Sequence, residues 1–212
     1  AADVESALRR LDASGMRSLV IDLRGNPGGL LSAAVDVADL FLERGLVVAT
    51  RGRSPEEDFN YTASRPGTWR MPLVIVIDGE SASSSEIFAG AIRDHGRGTI
   101  VGTRSYGKGS IQGIFPLEVA GVGMRLTTAK FYSPNGHPYS GVGVEPHLAV
   151  HAVAKPVDGE ASKATADAFI GTALEVARRS VVQSPARATA QPAGRGGPRP
   201  LPRPQPRSTA SR

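Results

Sequence analysis

The sequence has no cysteine. That excludes a disulfide scaffold, thiolate metal sites and a cysteine nucleophile. It leaves the compartment open, because a cysteine-free chain works in oxidising or reducing surroundings. Aromatic residues are scarce, with one Trp, four Tyr and six Phe among 212 residues. They form no basic–aromatic cluster of the kind that stacks on unpaired bases, so no nucleic-acid partner is expected. No apolar run approaches the roughly 20 residues of a membrane span, the densest being Leu73–Ile77. No metal-ligand spacing is visible, and neither a metal nor a cofactor is expected. The chain opens at Ala1 with neither an initiator Met nor the basic-then-apolar pattern of a signal peptide, which reads as a mature chain or a fragment.

Acidic residues are missing from one stretch in particular. From Gln183 to Arg212 the chain holds seven of its 16 prolines and six arginines, with no Asp or Glu. Such a segment cannot bury enough apolar surface to offset its chain entropy, and it reads as a disordered, partly polyproline-II tail. It also explains the basic balance. The whole chain carries a formal +5 and the tail +6, which leaves −1 for residues 1–182. The charge therefore describes an appendage, and the body of the chain is near neutral.

What is present in residues 1–182 is an alternation of strand and helix patterns. Arg17–Leu23 and Pro72–Ile77 are short, β-branched runs typical of buried strands, with further strands expected at Leu46–Thr50 and Thr99–Gly102. Helical spacing of apolar residues marks Val4–Leu11, Leu30–Glu43, Ser83–Arg93 and Ser162–Arg179. Arg51–Arg70 is polar and proline-containing, a loop or irregular hairpin. Gly113–Glu118 and Met124–Tyr132 alternate as a β-ribbon, and Ser133-Pro134-Asn135-Gly136 is a turn. The expected class is α/β, a largely parallel sheet with flanking helices and a ligand site at the carboxyl ends of the strands.

Two strand ends carry unusual residues. Asp22-Leu23-Arg24-Gly25-Asn26-Pro27-Gly28-Gly29 follows one buried strand and precedes a helix. Its glycines allow close backbone approach, and its N–H groups can face an anion or a developing oxyanion. The phosphate-loop spacings are absent, and a plain strand-to-helix turn accounts for the glycines about as well. Asp78-Gly79-Glu80-Ser81-Ala82-Ser83-Ser84-Ser85-Glu86 lies between another buried strand and a helix. A serine there is presented at the sheet edge, yet Ser83-x-x-Glu86 is also a capping box, which taken locally is the simpler account. No G-x-S-x-G elbow occurs. A serine nucleophile needs a base. His95, His137, His147 and His151 all sit in positions that suit structural or surface roles. Lys108, between Gly107 and Gly109, is the other candidate, and it would need desolvation to act as a neutral base.

Taken in order, LVIDLRGNPGGLL (19–31), PLVIVIDGESASSSEIFAGAIRD (72–94), GRGTIVGTRSYGKGSIQ (96–112) and LTTAKFYSPNGHPYSGVGVEPH (126–147) resemble the carboxy-terminal processing (tail-specific) proteases, serine peptidases with a Ser–Lys dyad. The resemblance implies Ser83 as nucleophile, Lys108 as base and Gln112 as the residue that holds Lys108 without adding a charge. It implies an oxyanion hole made by the backbone N–H groups of Gly29 and Ser84. It also implies a Clp-protease/crotonase-like core of ββα units, protein or peptide substrates cut near their C-termini, and extracytoplasmic work in the periplasm or cell envelope. Residues 1–182 would form the peptidase core. A PDZ domain and a cap segment, which the family carries before this core, are not in this sequence. The competing readings are a non-catalytic binding module of the same fold and an inactive truncated relic.

Overall fold

The structure is a computed structural model that describes residues 1–117, 122–150 and 167–183. The proline/arginine tail beyond Gln183, and the first part of the helix expected from Ser162, lie outside the described residues.

One sheet is entirely parallel. Its strands are β1 (Leu19–Asp22), β4 (Leu73–Ile77), β5 (Thr99–Gly102) and β8 (Leu148–Ala149), in that spatial order. The sequence of β4, LVIVI, explains its central place. All five side chains are buried, and alternation sends Leu73, Ile75 and Ile77 to one face and Val74 and Val76 to the other. Each such side chain contributes about 1.5–3 kcal/mol on burial. On the first face lie α1 (Ala2–Ala13) through Leu8, α2 (Leu31–Ala38) through Val35 and Ala38, and α3 (Ser84–Asp94) through Ile87, Phe88 and Ile92. On the second lies α4 (Ala168–Gln183), which packs Ala173 and Ala177 against Val74, Val76 and Val101. Arg24, just past β1, pairs with Asp22 and with Asp167 at the start of α4, each at 2.7 Å. That pair of contacts ties α4 to the carboxyl edge of the sheet.

The second sheet is entirely antiparallel: β3 (Phe59–Ala63), β2 (Gly45–Gly52), β7 (Gly123–Tyr132) and β6 (Ser110–Pro116), in that order. It shares the larger core through Val47, Val48, Ala63 and Phe131. The largely parallel sheet expected from sequence thus accounts for four of the eight described strands, and the other four form an antiparallel sheet. The β-ribbon is present as β6–β7, and β3 turns the polar segment after β2 into a hairpin arm. The helix expected over Leu30–Glu43 stops at Ala38. Leu40, Phe41 and Leu42, which continue the apolar pattern, are all buried beyond the helix end. The backbone turns instead. The carbonyls of Leu40 and Phe41 accept bonds from Trp69 N–H and Arg97 Nε. No described helix is long and apolar enough to cross a membrane.

Because β1 and β4 are neighbours in parallel register, from Leu19↔Leu73 to Asp22↔Val76, their carboxyl ends and following loops stand side by side. Those are the two loops singled out by sequence.

Candidate functional site

The two loops are stitched together by backbone. Ala82 N–H donates to the Asn26 carbonyl at 3.0 Å, and Ser81 Oγ donates to the Leu23 carbonyl at 2.8 Å. The Asp78 carboxylate, at the end of β4, accepts Gly25 N–H across the gap and Glu80 and Ser81 N–H within its own turn. The glycine turn is thereby pressed onto the start of α3. A β-carbon on Gly28 would stand 2.8 Å from Ser84 N and 2.9 Å from Ser83 Cβ, and Gly28 has φ +92°. Only glycine fits there, for both space and conformation.

Ser83 sits at the N-cap of α3 with φ 58° and ψ −116°. Among the described residues no other non-glycine residue has positive φ. An ordinary N-cap is extended. The capping box is present, but capping alone does not require this strained backbone. Strain of this kind persists only where the surroundings over-determine it, and it clusters at working sites. Here the over-determination comes from Gly28 on one side and Glu86 on the other.

Glu86 is the residue that links the parts. Its carboxylate is buried, at 1% exposure. Oε2 accepts the N–H of Ser83 at 2.8 Å and of Lys108 at 2.9 Å, while Oε1 accepts Ser105 Oγ at 2.5 Å and Gly107 N–H at 2.7 Å. Both oxygens act only as acceptors, the role of an ionised carboxylate. Four donors and the N-terminal end of the α3 dipole compensate a buried charge that has no cationic partner among the described residues. Ser105 in turn accepts Val144 N–H at 2.7 Å, so the lysine loop is braced from behind by the 139–144 segment.

The structure brings Ser83, Ser84, Gly29 and the backbone of Lys108 to one place. The Gly29 N–H donates to Ser84 Oγ at 2.6 Å. The Lys108 side chain is exposed, and its amine has no hydrogen bond or ion pair among the described residues. The packing of the described residues therefore does not supply the desolvation that a neutral lysine base requires. Gln112 lies on β6 opposite Thr127, exposed, and no hydrogen bond joins it to Lys108.

The described histidines occupy structural positions. His95 Nε2 lies 2.7 Å from the Leu46 carbonyl. His147 Nδ1 accepts Ile100 N–H at 2.9 Å, and burial, with Arg93 adding to it, holds its pKa below the ordinary histidine value. His137 is held in the 133–137 turn, and His151 lies outside the described residues. Sequence reasoning saw Glu86 only as a capping partner. It missed Ser105, for which no local signal exists.

The model of Peptidase family S41 matches residues 1–150, and the chain belongs to that family. It is 43% identical over 153 residues to the carboxy-terminal-processing protease of Bartonella bacilliformis, covering 70% of this chain and 35% of that protein. It is 39% identical over 144 residues to the carboxyl-terminal-processing protease of a Synechocystis strain, covering 68% and 33%. Among solved structures, the photosystem II D1 C-terminal processing protease superposes with a TM-score of 0.64 at 35% identity, over 70% of this chain and 38% of that one. The fold is thus the α/β arrangement of that protease, a helix-covered parallel sheet with an antiparallel half-barrel. The chain spans about a third of the length of these relatives.

Proposed function

We propose that residues 1–182 form the peptidase core of a serine protease that cuts protein substrates near their C-termini, with the 183–212 tail appended to it. The observation that carries this reading is the placement of Ser83. It is strained, pressed against the Gly28–Gly29 turn, and bound through its N–H to the same Glu86 oxygen that binds the Lys108 N–H.

In this reading Ser83 Oγ attacks the scissile carbonyl while the neutral Lys108 amine takes its proton. The carbonyl oxygen becomes an oxyanion facing the N–H groups of Gly29 and Ser84. Collapse expels the amine, which leaves with the proton from Lys108, and an acyl-enzyme remains on Ser83. Water, deprotonated by Lys108, then releases the acid and restores the serine. Gln112 positions the Lys108 amine without adding a charge. Since Lys108 is exposed here, its desolvation comes from the covering substrate. The Clp-protease/crotonase-like description of the core and an extracytoplasmic site of work, in the periplasm or cell envelope, accompany this reading. The relatives' names support the processing activity; those of Arabidopsis thaliana are named as chloroplastic.

The exposed Lys108 and the unengaged Gln112 favour, as a second reading, a chain that is inactive by itself. One experiment separates the two. The purified chain is assayed on an unfolded protein substrate beside Ser83→Ala and Lys108→Ala. Activity lost in both variants supports the dyad, and activity surviving both overturns it. A chain that cleaves nothing, and whose Ser83 is not labelled by a serine-directed fluorophosphonate, supports the second reading.

A further inference from the structure

The Gly29 N–H does not point into open solvent. It donates to the hydroxyl of Ser84, at an N–O distance of 2.6 Å. A substrate oxyanion takes a position about 2.7–3.1 Å from such a donor. The Ser84 hydroxyl oxygen therefore stands where the oxygen of a bound carbonyl belongs. Ser84 is the first residue of α3, and its side chain hangs on a single rotatable bond, so another staggered rotamer removes the hydroxyl without moving the backbone. The Ser84 backbone N–H stays in place when the side chain turns, because the helix and the Gly28 contact fix it.

We propose that the Ser84 side chain is a placeholder for the substrate's carbonyl oxygen: it occupies the Gly29 N–H in the unliganded protein and must rotate away for the oxyanion to form. The proposal rests on the Ser83 reading given above. Its chemistry is a displacement, with no covalent step of its own. The unliganded protein keeps an N–H satisfied that would otherwise be left to water, so the glycine turn stays oriented. A neutral carbonyl exchanges one neutral hydrogen bond for another and gains little. An oxyanion gains a charge-assisted bond in place of a neutral one, and so pulls the exchange through. Ser84 is thus a positioning residue, acting through Gly29, and it shifts the advantage from substrate toward transition state.

The test uses a peptide aldehyde. Ser83 Oγ adds to its carbonyl carbon, the serine proton passes to Lys108, and the former carbonyl oxygen becomes the anion at Gly29. Ser84→Ala removes the placeholder, and Ser84→Thr keeps a hydroxyl at the same carbon. We expect Ser84→Ala to bind the aldehyde about two- to tenfold more tightly than the parent, the worth of one net hydrogen bond, with Ser84→Thr close to the parent. A non-reactive peptide amide of the same sequence should bind all three alike, which a merely structural effect would not produce. In the unliganded protein, the Gly29 amide should exchange its hydrogen faster in Ser84→Ala than in the parent. Aldehyde affinity equal to or weaker than the parent's in Ser84→Ala, with the Ser83 adduct formed, overturns the placeholder role. If no adduct forms in any variant, the peptidase reading fails, and Gly29 exchange alone decides: a rate unchanged by Ser84→Ala overturns the contact.

Discussion

Gly28 and Ser83 are in direct backbone-to-side-chain register: a β-carbon on Gly28 would lie 2.9 Å from Ser83 Cβ and 2.5 Å from the Ala82 carbonyl oxygen. Neither neighbour is the end of a flexible side chain, so nothing can yield cheaply. The φ of +92° adds backbone strain to the collision. Gly28→Ala should therefore displace the glycine turn from the start of α3. We expect peptidase activity to fall about 100-fold, the scale of an ångström-sized misplacement. The stability cost should be about 1–3 kcal/mol. Gly79→Ala, where an added β-carbon meets nothing within 4 Å, is the matched control and should retain activity. Equal activity in the two variants would show that the approach of the two loops does not matter to the chemistry.

Ser83 holds its backbone at φ 58° and ψ −116°, a conformation that costs a non-glycine residue about 1–3 kcal/mol. Its replacement separates the strain from the chemistry. Ser83→Ala and Ser83→Gly both remove the hydroxyl and should both be inactive. Glycine accepts this backbone and alanine does not. Ser83→Gly should thus be more stable than Ser83→Ala by about 1–2 kcal/mol in urea unfolding, against the usual penalty of glycine for its flexible unfolded state. The reverse order would mean that the serine is not strained.

What could be read from the chain alone follows from how far apart the interacting residues are. The strands β1 and β4 announce themselves because LVI and LVIVI are continuous apolar runs, although of β1 only Leu19 is buried, and the start of α3 because Ser83 and Glu86 are three residues apart. The antiparallel sheet was only half legible. β3, FNYTA, has mixed burial, and in the parallel sheet the last strand, β8, is only two residues long. The end of α2 was hidden because Leu40, Phe41 and Leu42 continue an apolar pattern that the tertiary core uses differently. The site shows the same rule. The capping bond of Glu86 is local, but its bonds to Ser105, Gly107 and Lys108 span 19 to 22 residues and leave no periodic trace. Lys108 is a candidate base from the residues themselves and Gln112 only through resemblance, and no hydrogen bond joins the two side chains here.

Those long-range bonds set the expectation for Glu86→Gln. The amide keeps the size and loses one acceptor oxygen. Turned one way, its NH2 group leaves the Ser83 and Lys108 N–H groups unpaired; turned the other, it leaves the Gly107 N–H unpaired, while the Ser105 hydroxyl can accept from the amide. Unfolding in urea should show a loss of about 2–4 kcal/mol. Residual activity, assayed well below the unfolding midpoint, should fall at least about tenfold through kcat. An unchanged kcat with lowered stability would make Glu86 a structural carboxylate only.

His147 gives the pH dependence. Its Nδ1 accepts the Ile100 N–H at 2.9 Å, which requires that nitrogen to be unprotonated. Burial, and then Arg93, hold its folded-state pKa below the ordinary value of 6.5. With the folded value lower than the unfolded one, the unfolded chain binds the proton first as pH falls. The stabilisation is full above the unfolded pKa and is lost as pH drops from about 6.5 through the lower folded value. The protonated ring would place a donor against the Ile100 donor and loosen the join between β5 and β8. His147→Asn supplies an acceptor oxygen near the Nδ1 position that does not titrate. Urea midpoints measured from pH 8 to pH 5 should decline more steeply in the parent than in His147→Asn. Parallel curves across that range would remove His147 from the acid response.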